Sequence, residues 1–248
     1  MIELITLLIL FIPFSVFLIN SLLLRTILGS ENDLSGRLNV ISIGVCFFLS
    51  LIVIFNLNNA SSTIVFDWIN IGDVDLSFSF MIDPLTSVML VVVSGISFLV
   101  QIYSIGYMHG DKSFSRYFSF MALFTGSMLG LVMSRNILQL FIFWELVGVS
   151  SYLLIGFWHE RKAAAAAAKK AFIMTRLGDF GFLFSIIYLF NINPDLLNIH
   201  LLYDAIVNNE ISTQVATVLS LGFLIGAIGK SAQFPLHSWL PDAMEGPT

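Results

Sequence analysis

Five ionisable side chains lie in stretches of sequence that are otherwise largely apolar: Glu145, Arg176, Asp179, Lys230 and His237. An ionisable group in apolar surroundings is costly, so each needs a partner or a task. Their types suit proton transfer. A low dielectric favours the neutral form of a carboxylic acid and of an amine, and a nearby opposite charge favours the charged form of both. Moving the partner nearer or farther therefore makes each group take up or give up a proton. Glu145 and Lys230 are expected to act as such a pair across two helices, titrating as one coupled system. Plainer roles stand beside this one. Glu145 could be a protonated packing acid, and Lys230 could snorkel to an interface. Arg176 and Asp179 are three apart, so they share a helix face. They either neutralise one another, or Asp179 also tunes the lysine. His237, between Pro235 and Pro241, could relay protons near neutral pH or hydrogen-bond at an interface beside Trp239. His109, His159 and His200 fall in connections, where solvated roles are expected.

Other chemistries lack their residues. The sequence has no G-x-G-x-x-G loop, no Walker A motif, no pair of histidines suited to haem within an apolar run, and one cysteine, Cys46. No cofactor and no redox step are expected in this chain.

The elements that position these groups follow from hydropathy. The chain is 57% hydrophobic and 11% charged, with mean hydropathy +0.92. A soluble sphere of that composition would expose far too much apolar surface. Crossing the hydrocarbon core takes about 20 apolar residues as a helix. Seven segments qualify: Leu4–Leu24, Val40–Leu57, Pro84–Tyr107, Tyr117–Met133, Ile137–Trp158, Ala171–Phe190 and Val215–Leu240. Each is continuously apolar, unlike the alternating strands of a barrel.

Charge tests the count. The connections between segments 1–2, 3–4 and 5–6 hold Arg25, Arg37, Lys112, Arg116, Arg161, Lys162, Lys169 and Lys170, against Arg135 alone on the other side. This bias places the odd-numbered connections on the cytoplasmic or matrix face and the N-terminus on the opposite one. Met1-Ile2-Glu3 is acidic where a signal or transit peptide is basic, so no removable leader is expected.

Two connections carry structure. Thr63–Ile69 and the alternating Val74–Phe80, with Asn70–Asp73 as the turn, predict a β-hairpin on the outer surface. Asp83-Pro84 then reads as an N-cap and first helical residue. The alanine run Ala163–Ala168 predicts an inner extension of the sixth helix. In the seventh segment, Gly226-Ala227-Ile228-Gly229 precedes Lys230, and Pro235 should break the helix just beyond it. Broken helices beside an ionisable residue are a recurring transporter site. The expected fold is an all-α polytopic membrane protein with seven transmembrane helices, an external β-hairpin and a broken seventh helix.

The motifs carry a family likeness. Tyr103-Ser104-Ile105-Gly106-Tyr107-Met108, Phe143-Trp144-Glu145-Leu146-Val147-Gly148, the run from Ser150 to Trp158, Arg176-Leu177-Gly178-Asp179-Phe180-Gly181-Phe182 and the run from Gly229 to Thr248 together resemble the N-terminal half of the chain 5 family of respiratory complex I. These are the antiporter-like proton-channel subunits of NADH:quinone oxidoreductase, and the likeness covers nearly the whole chain.

The resemblance implies two inverted five-helix repeats, each with a broken helix. It divides the chain into residues 1–83, two helices plus the hairpin, and residues 84–248, a channel region cut short after the broken helix. It implies proton transfer by Glu145, Lys230, Asp179 and His237, with Arg176 in charge pairing. NADH, FMN, iron–sulfur clusters and quinone would belong to partner subunits of the membrane complex. The implied location is the mitochondrial inner membrane, with a bacterial plasma membrane as the alternative. Family members continue for several hundred residues beyond Pro247-Thr248. The expectation is a split gene whose second polypeptide supplies the C-terminal half; the alternative is a truncated piece of a longer chain. The large subunit of a multisubunit sodium/proton antiporter shares the same charged residues, and a structural subunit without conduction is a third reading.

Overall fold

The computed structural model describes residues 2–27, 29, 32–57, 61–71 and 74–247. Among them are seven helices long and apolar enough to cross a membrane. They are α1 (Ile2–Leu24), α2 (Asp33–Asn56), α3 (Pro84–Tyr107), α4 (Phe114–Met133), α5 (Ile137–Ile155), α6 (Lys162–Ile192) and α8 (Thr213–Lys230). A hairpin of β1 (Ser62–Ile71) and β2 (Val74–Ile82) joins α2 to α3. The short helix α7 (Ile199–Val207) joins α6 to α8.

Large apolar side chains point outward, as lipid demands. Phe55 is 81% exposed and Phe180 68%, whereas Ser50, Ser94, Gln101 and Ser150 are fully buried. With lipid as the solvent, burial of apolar surface does not hold helices together. Close packing and hydrogen bonds between helices do.

One packing unit comprises residues 1–64 and 80–133, the other 65–79 and 134–248. In the first, α2 and α3 interlock reciprocally. Phe98 lies against Gly44 and Phe47 against Gly95, where a Cβ would stand 2.9 Å and 3.0 Å from the rings. Polar groups link the remaining helices: Asn39 donates to the carbonyl of Phe118 at 2.7 Å, and Ser97 meets Thr125 at 2.7 Å.

The second unit contains the charged residues. Its outer end is tied by backbone. Arg135 N–H donates to the Ser79 carbonyl at 3.0 Å, and Ile199 N–H donates to the Arg135 carbonyl at 3.1 Å. The Gln139 side-chain Oε1 accepts from Ser79 N–H at 2.7 Å. Trp68 and Phe78 pack across the hairpin with ring centroids 4.8 Å apart. Residues 72–73 of the expected turn lie outside the described residues. Asp83 caps α3 by accepting from Thr86 N–H at 2.6 Å, with Pro84 at the first helical position.

Three expectations need correcting. The seventh span does not run on to Leu240; α8 stops at Lys230. Ala232 takes the left-handed conformation, with φ of 50°. Ser231 N–H then bonds the Ala227 carbonyl and Gln233 N–H the Ile228 carbonyl. This is a Schellman-type stop with alanine where glycine is usual, and Pro235 follows it outside the helix. Second, the connection between α6 and α8 is not a plain loop. Its α7 is amphipathic and sets Ala205 into the core. Third, α5 ends at Ile155 rather than Trp158.

The alanine run does extend α6 inward, and its purpose is steric. Ala164, Ala167, Ala168 and Ala171 recur at helical spacing and are buried. Trp239 and Ala243 pack on that flat face, and Lys170 pairs with Asp242 at 2.7 Å. The segment after Lys230 is thereby folded back onto the inner ends of α5 and α6. Its Trp239 indole N–H donates to the Gly229 carbonyl, in the last turn of α8, at 3.1 Å.

A candidate proton-transfer site in the membrane

Helices α5, α6 and α8 bring four ionisable groups into one chain of contacts. Arg176 of α6 pairs with Glu145 of α5. The same guanidinium stands 3.6 Å from Oδ2 of Asp179, one turn along α6. Lys230, the last residue of α8, approaches that same oxygen at 4.0 Å. Asp179 is 3% exposed, so it is the innermost member, facing two cations at once. Its other oxygen accepts from the Trp144 indole N–H at 2.6 Å. Lys230 donates to the Trp144 carbonyl at 3.1 Å. Glu145 Oε1 and Asp179 Oδ2 are buried without a hydrogen-bond partner, each with acceptor capacity to spare.

The order Glu145–Arg176–Asp179–Lys230 differs from the expected direct pairing of Glu145 with Lys230. Arg176 and Asp179 stand between them. Nor are Arg176 and Asp179 a closed pair neutralising one another, because each has a second partner on a neighbouring helix. His237 is exposed in the segment after α8 with its ring against Phe234, outside this chain of contacts.

Helix packing explains the convergence. α6 and α8 touch through glycines. A Cβ on Gly178 would stand 2.9 Å from the Ile225 carbonyl and 3.0 Å from Gly229 Cα. Those atoms are backbone and cannot step aside. Small residues let helix backbones approach this closely in lipid, which carries Lys230 up to Asp179. Gly178→Val is therefore expected to force α6 and α8 apart, costing roughly 1–3 kcal/mol of packing and displacing Lys230. Loss of the assembled protein from a native gel checks it; wild-type amounts of a functional assembly would contradict it. On α5, Gly148 leaves the space that the lysine fills. A Cβ there would stand 2.5 Å from Lys230 Nζ.

The outer side of the cluster is apolar. Trp144 and Phe141 meet Phe182 edge-on, with centroids 5.5 Å and 5.4 Å away, and Phe223 closes on Phe182 at 5.1 Å. Beyond them lies an apolar core of Ile186, Leu189, Leu197 and Leu219. The low dielectric that makes a charge depend on its partner is thus built into the outer half of this unit.

Comparison with known proteins places this geometry. Residues 134–248, which include all four charged groups, match the family described as NADH:quinone oxidoreductase/Mrp antiporter, transmembrane. Residues 68–118 match the family of the chain 5 N-terminus of NADH-ubiquinone oxidoreductase, complex I. The chain belongs to this antiporter-like family.

Among relatives, the chloroplastic NAD(P)H-quinone oxidoreductase subunit 5 of Anthoceros angustus is 48% identical over 82% of this chain and 28% of its own length. That of Physcomitrium patens is 41% identical over 96% of this chain and 34% of its own. The chain thus spans about a third of the length of these relatives. The structure of the Mrp complex from Dietzia sp. DQ12-45-1b superposes with a TM-score of 0.81 at 27% identity, covering 97% of this chain and 25% of that one. The membrane-bound sulfane sulfur reductase, an archaeal respiratory membrane complex, shares the fold, with a TM-score of 0.76 at 18% identity over 98% of this chain and 48% of that one.

Within this antiporter-like unit, sequence reasoning missed Trp144, Gly148 and Trp239 as parts of the site. Trp144 touches Asp179 and Lys230 from a position adjacent to Glu145. Its one signal was an indole inside an apolar run, where a buried N–H must find an acceptor.

Proposed function

We propose that this chain is a proton-translocating membrane subunit of an NAD(P)H:quinone oxidoreductase complex, moving protons through Glu145, Asp179, Lys230 and His237, with Arg176 as the charge that pairs with the carboxylates. Electron transfer would take place in partner subunits holding the nicotinamide site, FMN, iron–sulfur clusters and quinone. The observation that carries this reading is Asp179 Oδ2 facing both Arg176 and Lys230. Arginine stays charged, whereas lysine can give up its proton. When Arg176 swings from Glu145 toward Asp179, it takes the counter-ion from Lys230, and the lysine proton is released. When Arg176 returns to Glu145, Asp179 again holds an ammonium. Glu145, left without its cation, takes up a proton as Lys230 releases one, and gives it up when Arg176 returns and Lys230 is reprotonated, so the cluster stays neutral throughout. His237, in the segment that follows, is the candidate for passing protons onward.

Such a subunit requires other membrane-arm subunits and the remainder of its own fold, on this polypeptide or on a second one. We propose the mitochondrial inner membrane, with the N-terminus on the outer, intermembrane-space side. The chloroplastic names of the relatives make the plastid membrane the competing location, which organelle fractionation distinguishes. The likeness to the Mrp complex supports a second reading, a subunit of a multisubunit sodium/proton antiporter.

The deciding experiment is a native gel of mildly solubilised membranes, stained for NAD(P)H dehydrogenase activity, with mass spectrometry of the active band. The chain is expected in that band, together with peptides of the remaining subunit 5 sequence. Migration apart from the activity, with sodium-driven proton flux, would favour the antiporter.

A further inference from the structure

A groove runs along the surface between α5 and α6. It is lined by Val149 and Tyr152 on one side and Lys169, Phe172 and Ile173 on the other, with a volume of about 480 Å³. Glu145, Val149 and Tyr152 form one stripe of α5, and Lys169, Phe172, Ile173 and Arg176 form one stripe of α6. The groove therefore starts at a lysine on the inner, positively charged side and ends below the Arg176–Glu145 pair, about 10 Å deeper by helical rise. Tyr152 packs edge-on to Phe172, with centroids 5.5 Å apart.

The lining selects its occupant. A file of water needs two to four polar partners per molecule, and this wall offers almost none below Lys169. A packed helix would fit the apolar walls only if it also brought a carboxylate to the lysine. The neighbouring Lys170 is matched to Asp242; among the described ion pairs Lys169 has no carboxylate. Arg161 and Lys162 add positive charge at the same inner end. Basic pockets between helices on this side of a membrane suit anionic headgroups.

We propose that the groove seats an anionic phospholipid, with its phosphate on Lys169 and one acyl chain along Val149, Tyr152, Phe172 and Ile173. The chain then forms the wall that keeps water from the Arg176–Glu145 pair on this side.

The test places a benzophenone photo-crosslinking residue at position 173 in the intact membrane complex. The complex is reconstituted in vesicles of phosphatidylcholine with and without phosphatidylglycerol. Irradiation is expected to give lipid adducts in which phosphatidylglycerol is enriched over its share of the vesicle. Lys169→Gln should lower that enrichment about fivefold, the worth of one cationic side chain at an anionic surface, and Lys169→Arg should preserve it. Adducts mainly to polypeptide would overturn the proposal by showing that a protein segment covers the groove. Lipid adducts indifferent to headgroup charge, or an enrichment unchanged by Lys169→Gln, would overturn it equally.

Discussion

Lys230→Met is expected to lower proton translocation per NAD(P)H oxidised by about two orders of magnitude in the share carried by this subunit, within the range a positioned proton-transfer group contributes. The substitution removes the protonatable group that faces Asp179 from α8 and leaves the Trp144 carbonyl without its donor. It also leaves a buried carboxylate with one cation in place of two, and breaking a buried pair can cost several kcal/mol. Assembly must therefore be measured alongside flux. Lys230→Arg separates the two effects. Arginine retains the positive charge but does not give up a proton, so this variant should assemble and still fail to translocate. Proton uptake by vesicles, recorded with a pH-sensitive dye and divided by NAD(P)H consumed, reads the result. Unchanged stoichiometry in an assembled Lys230→Met complex would establish the structural-subunit reading instead.

Gly148→Ala should lower proton flux by about tenfold while leaving every ionisable group in place. The added methyl would stand 2.5 Å from Lys230 Nζ. That atom is the tip of a flexible side chain, so the ammonium moves and the helices stay. Moving it takes Lys230 from the Trp144 carbonyl and away from Asp179 Oδ2. A reacting group misplaced by about 1 Å can lose up to a hundredfold in rate. The variant should run with the wild-type complex on a native gel and show normal electron transfer to quinone in uncoupled membranes. Full coupled pumping in Gly148→Ala would mean that the lysine does not work from its present position. Gly178→Val is expected to act differently, because the atoms it meets are backbone: it should fail at assembly rather than at proton transfer.

The solvent and the spans are written in the residues themselves. Continuous apolar runs of about 20 residues have one economical conformation in lipid, a hydrogen-bonded helix. The alternation of eight basic residues against Arg135 then sets their direction. The hairpin and the Asp83 cap were legible because strand alternation and capping are local. Glu145, Arg176, Asp179 and Lys230 also stood out, because ionisable groups in apolar runs are costly and need a partner or a task.

Who pairs with whom was not legible. Contact across α5, α6 and α8 depends on helix rotation and separation, which here rest on glycine contacts at Gly148, Gly178 and Gly229. A glycine in a sequence does not say which atom will occupy the space it leaves. The end of α8 was misjudged because hydropathy continues past Lys230 while the backbone turns at Ala232, a residue that gives no sign of a left-handed conformation. The role of the alanine run was hidden for a similar reason. Its value is a flat face for Trp239 and Ala243, and only the folded-back segment creates the need for one. Tertiary structure thus decided the order Glu145–Arg176–Asp179–Lys230, because ion pairing inside a membrane is fixed by distances of a few ångströms, and those distances belong to the packed helices.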